Sequence, residues 1–446
     1  MMHTLVARRV QAILLFALLV GPAVGLSRSQ ENILLIIADD LGVDAIEAYG
    51  EGTDLPATPN LTQLAQSGVL FKRAYGNPSC SPTRATIQTG RYGFRTGIGE
   101  VVWLNNQALL PSEVTLPEML DLGTGGLYAH AAVGKWHLGN DSVGGLLSPN
   151  QAGYGAFMGT IFGIVPPETY YEWTKIVDGV QMPSHVYATT DEVDDSLAWI
   201  ATAPEPWFLH VGLHAPHSPF HVPPPSLATL KPSDAKDAIR PYYKAMVEAM
   251  DAEIGRLLAS MPAAVRARTL VILTSDNGTQ GQVVAPPFSP TKVKRTIYEG
   301  GIRLPLIVSG PLVVQPGRES NALVNTTDLF ATVAEVAGVG LPSLGLPTLD
   351  SVSILPYLVD PEKQQIRTTV YSETFEPNGQ TPSSWTRAMR NNSFKLIMRS
   401  DLSEEFYQLN VNPLETHPLT IGSLNSVQQG HYEDLKQSIQ ALLQTP

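Results

Sequence analysis

The chain has 446 residues, 43% hydrophobic and 16% charged, with 41 acidic against 29 basic residues and a formal net charge of -12. That length and composition suit a folded protein with one large core and an appendage, and an acidic balance without any basic run excludes extended contacts with nucleic-acid phosphates. A single cysteine excludes a disulfide within the chain.

At the N-terminus, Arg8 and Arg9 precede an apolar run from Val10 to Val20 and small residues ending in Ala23-Val24-Gly25. This is the layout of a secretory signal peptide over 1–25, cleaved near Gly25. The run is too short to span a bilayer and no later segment is long and apolar enough, so stable membrane insertion is not expected. The segment predicts an exported protein, bacterial periplasmic or secreted.

Asn32 to Ala38 is a β-branched apolar run that reads as a buried strand ending in Asp39-Asp40. Similar runs occur at Trp207 to Val211, Thr269 to Thr274 and Leu304 to Val308. Between them, helices are predicted over Pro59 to Ser67, Leu116 to Leu122, Asp191 to Ala201, Tyr242 to Ser260 and Asp328 to Val336. Strands alternating with helices imply an α/β fold, a large mixed, mostly parallel sheet flanked by helices. After a proline-punctuated connector, strands over Thr368 to Glu373, Thr386 to Arg390 and Phe394 to Arg399 and a helix over Tyr432 to Leu443 predict a smaller C-terminal α+β subdomain. The expected division is therefore 26–365 and 366–446.

Ligands of such sheets bind outside the carboxyl ends of the strands, and two predicted strands end in Asp39-Asp40 and Asp276-Asn277. Each pair alone also reads as a helix cap or a solvated turn. Together, three carboxylates and an amide oxygen make a hard oxygen site suited to Ca²⁺, with Mg²⁺ second. In Gly134-Lys135-Trp136-His137, an extended backbone would send Lys135 and His137 to one side. His214 and His217 follow another buried strand on a proline-rigid loop, an arrangement suited to a general acid. Cys80 lies before Pro82 and a predicted helix over Ala85 to Thr89, just ahead of a helix N-terminus that favours an anion, with Arg84 able to grip two oxygens.

Cys80-Ser81-Pro82-Thr83-Arg84, followed by Thr89-Gly90-Arg91, resembles the sulfatase signature C-x-P-S-R and T-G-R. The resemblance extends through Ala38-Asp39-Asp40-Leu41-Gly42, T-P-N-L-T-Q-L-A from Thr58, G-K-W-H-L-G from Gly134, S-D-N-G from Ser275, Y-E-G-G-I-R-L-P from Tyr298 and R-N-N-S-F-K-L-I from Arg390. Thr83 and Ile87 depart from the commoner serine and leucine.

The resemblance implies an alkaline phosphatase-like fold and a formylglycine-dependent sulfatase, with a catalytic domain over 26–365. Cys80 would be oxidised to 3-oxoalanine by a formylglycine-generating enzyme, beside one Ca²⁺ held by Asp39, Asp40, Asp276 and Asn277. Arg84, Lys135, His137, His217 and Lys294 would line the sulfate pocket, with His214 outside it or facing substrate and Glu299 and Arg303 structural. A hydrated aldehyde would attack sulfur, His217 would protonate the leaving alcohol, and His137 would take a proton as sulfate is expelled. The expected substrate is a sulfated small molecule or glycan. The alternatives are a phosphonate monoester or phosphodiester hydrolase of the same superfamily and a non-catalytic sulfated-glycan binder. Specificity is expected in loops Asp141 to Gln181 and Gln280 to Thr291, and Tyr170-Tyr171-Glu172-Trp173 reads either as a sugar platform or as packing.

Overall fold

A computed structural model of the chain describes residues 30–232 and 238–445; the expected signal peptide over 1–25 lies outside the described residues. Every residue of the strand Asn32–Ala38 is buried, and its side chains alternate between two apolar layers. Ile33, Leu35 and Ile37 face one layer with Ala85, Ile87, Leu120 and Phe330. Leu34, Ile36 and Ala38 face the other with Tyr243, Met246 and Met250 of the helix Arg240–Ser260. A strand covered on both faces carries no polar alternation, which is why it reads as a continuous apolar run.

This strand sits inside a ten-stranded sheet. Thr269–Ser275, Asn32–Ala38, Trp207–Gly212, Ala129–Lys135 and Ala156–Thr160 run parallel as its centre. On one side Leu306–Ser309 adds antiparallel, Gly68–Phe71 pairs antiparallel to it and Arg318–Ser320 parallel to that edge; on the other lies the hairpin Trp173–Val177 and Val180–Ser184. The sheet is thus mixed, with a parallel middle, as expected.

Several local expectations need correction. The run Leu304 to Val308 is two strands: Arg303–Leu304 pairs with Ala74–Tyr75 in a small sheet, whereas Leu306–Ser309 joins the large one. Pro305, which has no N–H to give a ladder, separates them. The helix expected from Ala85 begins at Cys80 instead. Pro82 is its third residue, where the absent N–H removes no intrahelical bond. The segment 141–181 is not a loop, because it contributes the strands Ala156–Thr160 and Trp173–Val177.

The C-terminal sheet is a four-stranded antiparallel meander of Val370–Glu376, Ser384–Arg390, Phe394–Arg399 and Glu404–Gln408. Tyr432, Leu435 and Ile439 of the helix Ser426–Gln444 pack on Leu396 and Phe406. No helix of the described residues is long and apolar enough to cross a membrane.

Candidate active site

Four neighbouring parallel strands deliver the site. Ala38 is paired with Ser275, so Asp39-Asp40 and Asp276-Asn277 emerge side by side. On the other flank Ile37 is paired with Gly212 and Gly134 with Gly212, which brings the His214–His217 turn and Lys135 to the same edge. These are the carboxyl ends of the strands, where open α/β sheets place ligands. Gly134 is required there: its φ is 86°, and a Cβ would lie 2.1 Å from the Gly212 carbonyl oxygen.

Cys80 opens the buried helix Cys80–Thr89, and its thiol donates to Asp39 Oδ1 at 3.7 Å. Ligand atoms of Asp39, Asp40, Cys80 and Asp276 all lie within 4.8 Å of one another. Arg84, 1% exposed, donates from Nε and Nη2 to Asp276 Oδ2 at 2.9 and 2.8 Å and from Nη1 to the Lys135 carbonyl at 2.9 Å. Lys135 Nζ is 2.5 Å from Asp39 Oδ2, and Lys294 Nζ is 2.5 Å from Asp40 Oδ1. Asn277 Nδ2 donates to Asp40 Oδ1 at 2.6 Å, while its buried Oδ1 has no partner.

Burial by itself would raise the Asp39 carboxyl, but Lys135, His217, Arg84 and Lys294 hold it well below the ordinary carboxylate range. Asp40 is lowered likewise, against its burial, chiefly by Lys294. Burial, with Asp276 adding repulsion, pushes the Cys80 thiol up to about 12. A thiol protonated at neutral pH is a weak nucleophile.

His137 has φ 62°, a left-handed conformation in place of the extended one expected. It therefore reaches the same cavity as Lys135 through a turn after Trp136, and not through strand alternation. Burial and the nearby Lys135 and Arg84 charges keep its pKa well below the usual imidazole value. Both of its ring nitrogens are buried without partners. His217 Nδ1 is bonded to the Ser218 carbonyl at 2.7 Å, which leaves Nε2 facing Asp40 Oδ2 at 3.6 Å. His214 is committed on both nitrogens, to Glu192 and, at 2.7 Å, to Thr160 Oγ1. It braces the turn and has no free nitrogen for substrate.

The cavity encloses about 220 Å³ and is lined by Asp39, Cys80, Lys135, His137, His217 and Lys294 among others. Residues without a motif also contribute. Gln280 Nε2 donates to Asp40 Oδ2 at 2.6 Å. Tyr170 OH donates to the carbonyls of His214 and His217 at 2.7 and 2.8 Å. Trp103, 44% exposed, lies against Phe162 at the cavity with ring centroids 5.1 Å apart. Gln280 is signalled only by its closeness to Asn277, and Trp103 has no sequence signal. Tyr170 and Trp173 are buried, and Tyr171 packs on Tyr187, so the packing reading of that stretch holds. Glu299 is bonded to Tyr75 and Arg390 and Arg303 to Glu51, away from the cavity.

Three carboxylates facing Arg84, Lys135 and Lys294 form a balanced cage. A hard divalent cation fits it: Asn277, bonded to Asp40, has a buried unpaired oxygen, and the clustered donors are carboxylate oxygens apart from Cys80. With such a cation the site would carry a net positive charge, so fold and site together suit the binding of a tetrahedral oxyanion or its ester. The family model described as Sulfatase matches residues 31–339, and the chain belongs to that family. A second model, N-sulphoglucosamine sulphohydrolase, C-terminal, matches residues 292–445. The chain is 30% identical to the N-acetylgalactosamine-6-sulfatase of Canis lupus familiaris over 366 residues, 74% of this chain and 66% of that protein. It is 30% identical to Homo sapiens arylsulfatase A over 77% of this chain and 71% of the relative. The fold is similar to the crystal structure of Ps i-CgsB in complex with k-i-k-neocarrahexaose, with TM-score 0.77, 23% identity and 93% of each chain covered. It is also similar to BT4656 in complex with D-glucosamine-2-N,6-O-disulfate, with TM-score 0.73, 20% identity and coverage of 92% of this chain and 97% of the other.

Proposed function

We propose that this protein is an exported hydrolase of sulfate monoesters on carbohydrates, with Cys80 carried as formylglycine and Ca²⁺ held by Asp39, Asp40, Asp276 and Asn277. The observation that carries the reading is the clustering of Cys80 with three carboxylates, each paired with a fixed cation, beside a cavity that Asp39, Cys80, Lys135 and Lys294 line. When present, the formylglycine and the cation supply a two-hydroxyl nucleophile and Lewis-acid polarisation.

The chain's own residues do the rest. Lys135 and Lys294, already oriented by Asp39 and Asp40, neutralise sulfate oxygens, and Arg84 fixes Asp276 and braces the Lys135 carbonyl. His217, its Nδ1 held by the Ser218 carbonyl, offers Nε2 as the acid for the leaving alcohol. His137, both of whose ring nitrogens are buried without partners, is the cavity group placed to take a proton as sulfate leaves. Trp103 and Phe162 present an apolar surface beside the cavity that suits a sugar face. The names of the relatives, an amino-sugar sulfatase and an arylsulfatase, support the same class.

The test is sulfate release from defined sulfated glycans by protein co-expressed with a formylglycine-generating enzyme, with peptide mass spectrometry over Cys80. Release that tracks conversion of Cys80 supports the proposal. A fully converted, calcium-loaded protein that releases no sulfate from any sugar or aryl sulfate ends it.

A further inference from the structure

We infer that the substrate carries a second anionic group, bound by Arg295 in a cleft beside the reacting sulfate; this rests on the hydrolytic reading above. Lys135 and Lys294, which line the main cavity, are committed to Asp39 and Asp40. Arg295 lines it too, yet its exposed guanidinium has no hydrogen bond or ion pair among the described residues. In a chain of net charge -12, Arg295 is thus an exposed cation at the active-site cavity that no carboxylate pairs among the described residues, and its charge is available to an incoming anion.

The backbone at this position is also specified. Arg295 has φ 69°, the left-handed region that a long side chain seldom adopts, and its N–H donates to the Pro78 carbonyl at 2.7 Å, two residues before Cys80. The guanidinium is therefore carried on a segment registered to the nucleophile. Arg295 also lines a second, open cleft of about 490 Å³ that shares His217, Ser218 and Lys294 with the first. Gln280 and Gln282 line this cleft and no carboxylate does, among the described residues. The Gln282 amide suits sugar hydroxyls, Gln280 Nε2 being bonded to Asp40, and a guanidinium fork matches the paired oxygens of a sulfate or a carboxylate. The geometry fits a sugar next to the one being desulfated, its anion held by Arg295.

The test compares a hexosamine carrying one sulfate ester with two disaccharides in which that sugar is linked to a second sulfated sugar or to a uronate. The wild-type protein is expected to prefer at least one disaccharide in kcat/KM, and the two arms tell sulfate from carboxylate. Arg295→Asn, chosen because asparagine tolerates a left-handed backbone, should reduce that preference at least ten-fold through KM. Arg295→Lys should restore part of it. A wild type without the preference, or an Arg295→Asn variant that keeps it, overturns the inference. If no substrate is hydrolysed, the functional proposal fails separately, and the subsite is read by calorimetry with the intact disulfated disaccharide and the uronate disaccharide: equal affinity of wild type and Arg295→Asn for both overturns it.

Discussion

Asn277, next in the chain to Asp276, gives its amide nitrogen to Asp40 and the Gly278 carbonyl and has a buried oxygen without a partner. A buried polar atom without a partner costs about 1–3 kcal/mol, and a bound cation removes that cost. Adding Ca²⁺ should therefore raise the melting temperature, by about 2.7 kcal/mol of stability at a hundred-fold excess over Kd, and a chelator should reverse it. Asp40→Asn should abolish the calcium response, measured by thermal denaturation with and without the ion; a wild-type protein indifferent to calcium would count against the site. At Arg84, the guanidinium meets both Asp276 and the Lys135 carbonyl, a reach that a lysine lacks. Arg84→Lys should lower kcat about 10²–10³-fold, by analogy with the loss of one preorganised donor, and kinetics on an aryl sulfate would read it.

Within the strand Val370–Glu376, Glu373 is 1% exposed, accepts from the Phe94 N–H at 2.7 Å and the Tyr371 hydroxyl at 2.9 Å, and has Arg387 at 3.8 Å. Burial pushes its carboxyl from 4.5 up to about 7. Because the folded value is raised, the folded state holds a proton that the unfolded chain has released between about pH 4.5 and 7. This group's contribution is thus fully present below the unfolded value and is lost as pH rises through the folded one, by about 3 kcal/mol. Glu373→Gln should gain on wild type as pH rises from about 4 to 8, with melting temperatures taken across that range; a difference flat in pH would remove the argument. Elements differ in how far their sequence announces them. Asn32–Ala38 and Thr269–Ser275 are legible because strands buried on both faces must be apolar throughout, and so the acidic tails at their ends are legible too. Ala129–Lys135 is not, since alanines and a histidine stand where a β-branched run would announce a strand, and Gly134 is there for its close approach to the Gly212 backbone. Arg318–Ser320 and Val324–Asn325 are two or three residues long and exist only through partners distant in sequence. The left-handed backbones of His137 and Arg295 escape pattern reasoning because such conformations at non-glycine residues are set by tertiary contacts.

Across the whole molecule, the C-terminal sheet holds the segment that carries Lys294. Lys395, fully buried, lies 3.3 Å from Glu299 and 2.9 Å from Glu415. Glu299 also takes Tyr75 OH at 2.9 Å and Arg390 at 3.2 Å, and Glu415 accepts the Glu299 N–H. Lys292, two residues before Lys294, donates to the Glu415 carbonyl and lies 4.4 Å from the Tyr298 ring centre. The stretch 292–299 is thus clamped between the small sheet that holds Tyr75 and the C-terminal meander with the segment after it. Removing the one buried ammonium leaves two carboxylates without it, which costs about 3–5 kcal/mol in comparable buried pairs. Lys395→Met should lose that much in denaturant titrations with the slope unchanged, and its kcat should fall as the hold on Lys294 loosens. Adding Glu415→Gln removes one stranded charge, so the double variant should recover part of the stability, an interaction a double-mutant cycle measures directly. A Lys395→Met loss below about 1 kcal/mol would mean that the seam is held by apolar packing and that the ion network contributes little.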